Sequence, residues 1–234
     1  MSKGFPFLYF AKTSSGTGAS GGFPPADFAS ANEHIDLTED SLTLELMFHF
    51  IYPRSQPRLE KTTFEALARL AEAVEKYQVY PAMQLCNIYM EKALPGHALD
   101  VLKYSLRHGY PELVNRAAPY VTLANLSAEW NSVPPDLLYA WLRYYDSWNA
   151  SIREASLTAP HGHKCANWLE YQRKIFSALG ELTGIKNDES ISTVITVPHF
   201  AAICCKDDAN RWQKAFMDKI RDVPPFTKFT MFPR

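Results

Sequence analysis

The sequence has few of the features that mark a secreted, membrane or nucleic-acid-binding chain. It holds 4 cysteines in 234 residues, too few for a disulfide scaffold, so we expect a reducing intracellular setting, cytoplasmic or nuclear. Its 24 basic and 25 acidic residues leave a formal net charge of −1, which attracts neither nucleic acid nor an anionic membrane surface. No apolar run approaches the roughly 18 residues that cross a bilayer. We therefore expect no nucleic-acid partner and no membrane partner.

Glycine is also sparse, with 10 residues, yet three of them form a known spacing near the N-terminus. Gly16, Gly18 and Gly21 fit the G-x-G-x-x-G pattern of a dinucleotide-binding loop. In that fold a helix follows the third glycine, whereas here Pro24 and Pro25 follow and disfavour one. A nucleotide-binding enzyme that uses the Gly16–Gly21 loop is therefore an alternative rather than the leading interpretation.

The chain around these glycines has the composition of a linker. Residues 13–22 contain only Ser, Thr, Gly and Ala, a mixture that is typical of flexible connections. We therefore interpret residues 1–22 as a flexible or disordered N-terminus.

From Thr38 onwards, apolar residues recur at helical spacing almost to the end of the chain. Thr38 is the expected N-cap of the first helix, and residues 35–37 are a candidate short strand. Periodicity does not decide the structure of residues 191–199, which are rich in β-branched side chains. The predicted helices cover residues 39–52, 63–76, 81–93, 96–107, 111–119, 135–156, 164–182 and 207–222.

Two of these helices carry apolar stripes that we expect to be buried. The aromatic stripe of the longest helix is interpreted as core rather than as a ligand site, because large aromatic side chains commonly dominate cores. The stripes are Leu42, Leu46, Met47, Phe50 and Ile51 on the first helix, and Leu138, Trp141, Tyr145, Trp148 and Ile152 on the longest.

Two stretches of the chain resemble a known family. Residues 35–52, IDLTEDSLTLELMFHFIY, look like the strand-then-helix unit of BTB/POZ domains, which ends in an apolar-Tyr pair. Residues 67–86, LARLAEAVEKYQVYPAMQLC, resemble the next BTB signature, in which an apolar helix leads through Lys-Tyr-x-Val into a helix with Leu-Cys. Residues 23–28 and the turn at 52–57 are similar to a fungal group in which a helical extension follows the BTB unit.

The resemblance implies a fold and a function. The expected fold is mainly α: a partial BTB/POZ-like helical unit over residues 23–108, then a helical C-terminal extension over residues 109–234, with little β-structure. The strands that normally open a BTB domain are not found upstream of residue 23, so its N-terminal part is expected to be missing or replaced. The implied function is protein–protein interaction, as an adaptor or self-associating scaffold, and some BTB proteins recruit cullin-type ubiquitin ligases.

Four positions that flank the resembling helices are candidate interaction residues. They are His49, Tyr52, Arg54 and Tyr80, and ordinary packing or surface roles for them remain an open alternative. No H-E-x-x-H, P-loop or kinase pattern is present. We therefore expect no enzyme activity, name no catalytic residue and expect no cofactor.

The candidate metal ligands lie in the C-terminal half: His161, His163, Cys165, His199, Cys204 and Cys205. Zinc sites commonly pair ligands about two to four residues apart and hold four of them tetrahedrally. His161 or His163 could pair with Cys165, but Cys204 and Cys205 are adjacent, so only one of these is expected to reach the same ion. We expect no bound metal. In this interpretation His161 and His163 lie in an exposed loop, and Cys165 is a small apolar residue on a helix. A zinc-stabilised helical domain built on His161, His163, Cys165 and Cys204 is the alternative.

Overall fold

A computed structural model describes residues 37–53, 55–158, 165–181, 188–197 and 203–230. The chain divides into two units, residues 1–38 and residues 39–234, and every helix described below belongs to the second. Within the described ranges all regular secondary structure is helical and no strand occurs. The mainly α prediction is therefore confirmed. The boundaries predicted after residues 22 and 108 stay predictions.

Ten α-helices and four short 3-10 turns make up these ranges. The turns used below are Trp130–Ser132 and the C-terminal 3-10 turn, Phe226–Lys228. The α-helices are α1 Ser41–Ile51, α2 Phe64–Lys76, α3 Tyr80–Lys92, α4 Ala98–His108, α5 Pro111–Ala117, α6 Leu123–Ala128, α7 Pro135–Leu157, α8 Ala166–Glu181, α9 Asp188–Val194 and α10 Ile203–Arg221.

Most predicted helices have their counterpart, and the differences are local. Helix α6 was not predicted, because its six residues are too few to show a period. The undecided stretch from 191 proves helical as far as Val194. The candidate strand at 35–37 lies outside the described residues except for Leu37, which is not in a strand. Helix α10 begins four residues earlier than predicted, at Ile203.

The first helix is capped by Asp40, so the prediction of Thr38 as its N-cap is wrong. The Asp40 carboxylate accepts hydrogen bonds from the Thr43 backbone N–H at 3.0 Å and from the Thr43 hydroxyl at 2.8 Å. It also lies 2.9 Å from the Arg69 guanidinium. The hydrogen bonds from Thr43, more than the charge of Arg69, lower the pKa of Asp40. A carboxylate that satisfies helix donors and a cation together is a better cap than a hydroxyl.

The stripe predicted for α1 is only partly correct. Met47 is buried, and Leu46, Phe50 and Ile51 are partly buried against the core. Leu42 is 48% exposed, and Thr43 takes the inward position. The Asp40 cap shifts the helix start, and Thr43 is held inward by its bonds to that cap.

On α7, Trp141 and Trp148 are buried as predicted. Leu138, Tyr145 and Ile152 are only partly buried, because α7 packs on α10 and on the C-terminal 3-10 turn along a broader face. The fully buried positions of that face are Leu137, Ala140, Trp141, Tyr144, Trp148 and Ala155.

The buried apolar side chains of the second unit form one continuous core. Helices α1 to α5 pack on one another, and α10 packs on α7 and also contacts α8 and α9. Gly109 ends α4 in the left-handed region, at φ 75°, a conformation that glycine adopts without steric cost. The turn at Gly109 lets α5 fold back against α4.

Glu39 bridges the segment before α1 and the end of α2. Its Oε1 lies 2.6 Å from Lys76 Nζ, and its Oε2 accepts a hydrogen bond from the Tyr77 hydroxyl at 2.8 Å. These contacts, Lys76 first and Tyr77 second, lower the pKa of Glu39 from 4.5 to about 2. Because the pKa of Glu39 is lower in the folded state than in the unfolded chain, the bridge stabilises the fold at pH values above 4.5. This stabilisation is lost as the pH falls towards the folded-state pKa of about 2.

We expect Glu39→Gln to reduce the acid sensitivity of the fold. Wild-type stability should decline between pH 4.5 and about 2 as Glu39 gains its proton, and the variant should decline less over this interval while starting from a lower value at neutral pH. Urea unfolding followed by circular dichroism at several pH values measures this. Glu45→Gln, on the exposed face of α1, is the control. Equal pH slopes for Glu39→Gln and wild type would contradict the prediction.

Candidate functional site

Three of the four predicted interaction residues can be placed. His49 lies in the last turn of α1, and its Nδ1 is 3.0 Å from the carbonyl oxygen of Ser55, so it closes the turn after the helix. Tyr52 directly follows α1 and is half exposed, and Tyr80 begins α3 with 65% of its surface exposed. Arg54 lies outside the described residues. A binding role for these positions stays a prediction.

A groove of about 510 Å³ opens between α4, the start of α7 and the residues that follow the C-terminal 3-10 turn. Its walls are partly apolar, and they carry more basic than acidic side chains. We call it the basic–aromatic groove and define it by Lys103, Leu106, Arg107, Leu137, Tyr139, Arg143 and Phe229.

The Arg143 guanidinium lies close to two aromatic rings of this groove. Its Cζ is 5.5 Å from the ring centroid of Phe229 and 5.9 Å from that of Tyr139, within the range of cation–π attraction. Tyr139 is four residues earlier on α7 and is 64% exposed. In the part of the chain that the structure describes, Arg143 forms no ion pair with a carboxylate. Its N–H donors therefore remain for a ligand.

The other two cations of the groove already have acidic partners. Lys103 Nζ lies 2.5 Å from Glu129 Oε2, and it lowers the pKa of Glu129. Arg107 lies 2.6 Å from Glu72. Among the residues lining the groove, Asp136 is the single acid. The cation with capacity for a new anionic partner is therefore Arg143.

A second polar group, the Glu75 cluster, joins α2 to α4 and α5. Glu75 Oε1 accepts hydrogen bonds from the hydroxyls of Tyr104, at 2.9 Å, and Tyr110, at 2.5 Å. Its Oε2 is 3.8 Å from His108 Nδ1. Burial, followed by the bond to Glu75, raises the pKa of Tyr104, so the phenol stays a hydrogen-bond donor. The arrangement is that of a structural bridge between three segments.

The C-terminal half brings three thiols together. The sulfur atoms of Cys165, Cys204 and Cys205 all lie within 4.8 Å of one another, and the cysteines form no disulfide. Both cysteines of the adjacent pair lie near Cys165, because α10 begins at Ile203 and puts both in its first turn. The expectation that only one of them reaches a shared ion stays a prediction. Cys204 is exposed and Cys205 is buried. The candidates His161, His163 and His199 lie outside the described residues.

Sequence reasoning did not identify the basic–aromatic groove, although part of its signal was present. Tyr139 and Arg143 are four residues apart, the spacing that places two side chains on one helix face, and they fall outside the stripe assigned to the core. Phe229 lies 86 positions after Arg143 in the numbering, so only the folded chain could bring them together. The Gly16–Gly21 loop lies outside the described residues.

None of the helices in the described ranges is both long and apolar enough to cross a membrane. No family model, curated protein or solved structure matches the chain.

Proposed function

We propose that this protein is an interaction module that binds an acidic, partly apolar segment of another protein in the basic–aromatic groove. The observation that carries the proposal is Arg143, which lies within 6 Å of the ring centroids of Tyr139 and Phe229 and has no carboxylate partner in the described chain. The protein would then act as a binding protein rather than an enzyme, in a reducing intracellular compartment.

The chemistry of the groove favours an acidic segment. A guanidinium is planar, so less conformational freedom is lost for each hydrogen bond it forms, and two of its N–H donors can bind the two oxygens of one carboxylate. Leu106 and Leu137 line the same groove and offer apolar surface to a neighbouring side chain of the ligand. Aromatic and arginine side chains together are the residue types that dominate binding energy at protein interfaces.

The resemblance to BTB/POZ proteins supports the same class of function. Under that resemblance the helices up to residue 108 would be a partial BTB unit and the rest its helical extension. Self-association and recruitment of a cullin-type ligase belong to this proposal as its more specific forms. Light scattering during size exclusion over a wide concentration range tests self-association separately from the groove.

We expect Arg143→Glu to abolish most of the affinity for an acidic probe. The probe is a fluorescein-labelled peptide of Glu and Leu, and binding is measured by fluorescence anisotropy. Replacing attraction by repulsion should weaken binding on the order of tenfold or more, about 1.4 kcal/mol. Added salt should weaken wild-type binding as well, because it screens exposed charges.

Arg153→Glu is the matched control. Arg153 is exposed on the same helix, about 15 Å further along at about 1.5 Å per residue, and reversing its charge should leave binding unchanged. A Lys and Leu peptide should bind more weakly than the Glu and Leu peptide. Equal loss for both reversals, or no binding of the acidic peptide by wild type, would overturn the proposal.

A further inference from the structure

The second site that the fold assembles is the group of three thiols at the meeting point of α8 and α10. We propose that the sulfur atoms of Cys165, Cys204 and Cys205 are three ligands of a bound Zn²⁺ ion. This thiol site is separate from the basic–aromatic groove and does not depend on the function proposed for it.

The spacing of the sulfurs is close to that of a metal site. With Zn–S bonds of about 2.3 Å, two sulfurs of a tetrahedral site lie about 3.8 Å apart. The three sulfurs here are all within 4.8 Å of one another, so the widest separation needs to shorten by at most about 1 Å, a shift that side-chain rotation can supply. Three protein sulfurs leave a fourth tetrahedral position for water or an added ligand.

The backbone around the sulfurs favours negative charge. Cys165 is the residue before α8, where its sulfur accepts a hydrogen bond from the Trp168 N–H at 3.4 Å and its carbonyl accepts one from the Leu169 N–H at 3.1 Å. Cys204 and Cys205 stand in the first turn of α10. The partial positive charges of two helix N-termini therefore converge on the three thiols, and such positions stabilise thiolates.

A divalent cation binds cysteine in its deprotonated form, and three sulfur atoms held this close together offer it one common binding point. The exposed side chain of Cys204 gives an ion a route to the site from solvent.

Thiolates select soft metal ions such as Zn²⁺ over Mg²⁺ or Ca²⁺. Cd²⁺ has the same preference and reports its sulfur ligands through ultraviolet charge-transfer absorption. The reduced, chelator-treated 234-residue chain is therefore titrated with Cd²⁺, and a second sample is loaded with Zn²⁺ before Cd²⁺ is added. We expect one Cd²⁺ per chain and a sulfur-to-cadmium absorption band in the first sample, and release of one Zn²⁺ per chain by Cd²⁺ in the second.

Four alanine variants locate the site. Cys165→Ala, Cys204→Ala and Cys205→Ala should each weaken Cd²⁺ binding by at least about 10- to 100-fold. A loss of that size is seen when a residue that only hydrogen-bonds to a metal ligand is removed, and these variants remove a ligand itself. Cys86→Ala, the same change in the core of α3, should keep the stoichiometry and the band. Because Cys204 is exposed, Cys204→Ala is expected to fold normally, and circular dichroism checks this for every variant.

Three results would overturn the proposal. The first is the absence of stoichiometric Cd²⁺ binding by the wild-type chain, and the second is unchanged binding by folded Cys204→Ala. The third is a mass two hydrogens below the reduced value in metal-free protein purified without reductant, which would assign the cluster to a disulfide instead.

Discussion

Trp212→Ala is expected to lower the free energy of unfolding by about 3–5 kcal/mol. The Trp212 side chain is almost fully buried in α10, and its ring contacts Trp168 and Tyr171 of α8 at centroid distances of 5.7 and 5.9 Å. Its indole N–H donates to the carbonyl oxygen of Ala155 on α7 at 3.3 Å. One side chain thus joins three helices, and its removal leaves a cavity where they meet.

Most of this cost should come from packing rather than from the lost hydrogen bond. The Ala155 carbonyl also accepts a bond from the Thr158 hydroxyl at 2.7 Å, so it keeps a partner in the variant. Trp212→Phe, which retains an aromatic ring, should therefore cost clearly less than Trp212→Ala. Loss of more than a few kcal/mol is a large part of the roughly 5–15 kcal/mol that stabilises a typical domain.

Urea unfolding followed by far-ultraviolet circular dichroism measures the effect through the shift in midpoint. The matched control is Trp130→Ala, because Trp130 is 63% exposed and its loss should change stability by no more than about 0.5 kcal/mol. If Trp212→Ala destabilised the protein no more than Trp130→Ala, the three-helix junction would not be part of the folding unit.

Glu75→Ala is expected to lower the free energy of unfolding by about 2–5 kcal/mol. The change removes the acceptor of two tyrosine hydroxyls, those of Tyr104 and Tyr110. A polar group left buried without its partner costs about 1–3 kcal/mol, and more where the lost partner is charged. Tyr104 is buried, so water cannot readily replace the carboxylate.

Glu72→Ala is the control for charge and helix position. Glu72 lies one turn earlier on α2 and is paired with Arg107 and His108 at a more exposed site, where such pairs contribute no more than about 1 kcal/mol. Midpoints of urea unfolding compare the two variants. A Glu75→Ala effect as small as that of Glu72→Ala would show that water satisfies the two hydroxyls.

The two substitutions act on different sets of helices. Glu75 holds α2 against α4 and α5, whereas Trp212 holds α10 against α7 and α8. The helices nevertheless share one continuous core. We therefore expect each variant to lower a single cooperative transition rather than to melt one half alone.

Structural features that depend on residues close together in the sequence could be predicted from it. Gly109 ends a helix, Pro135 begins α7, and Trp141 and Trp148 are buried, each as their local pattern indicates. The start of α1 was placed wrongly, because Thr38 and Asp40 both suit an N-cap, and the hydrogen bonds from Thr43 to Asp40, with Arg69 as an additional partner, select Asp40. The start of α10 was also missed, since cysteines carry no strong helix signal of their own.

The sequence by itself determined the helical class of this protein and the approximate place of most of its helices. Helix periodicity, prolines and glycine ends act within a few residues, so they can be recognised in the linear chain. Only the tertiary structure decided the candidate sites. Arg143 meets Phe229, and Cys165 meets Cys204 and Cys205, across long stretches of chain, because helix packing sets these contacts and no local pattern encodes them.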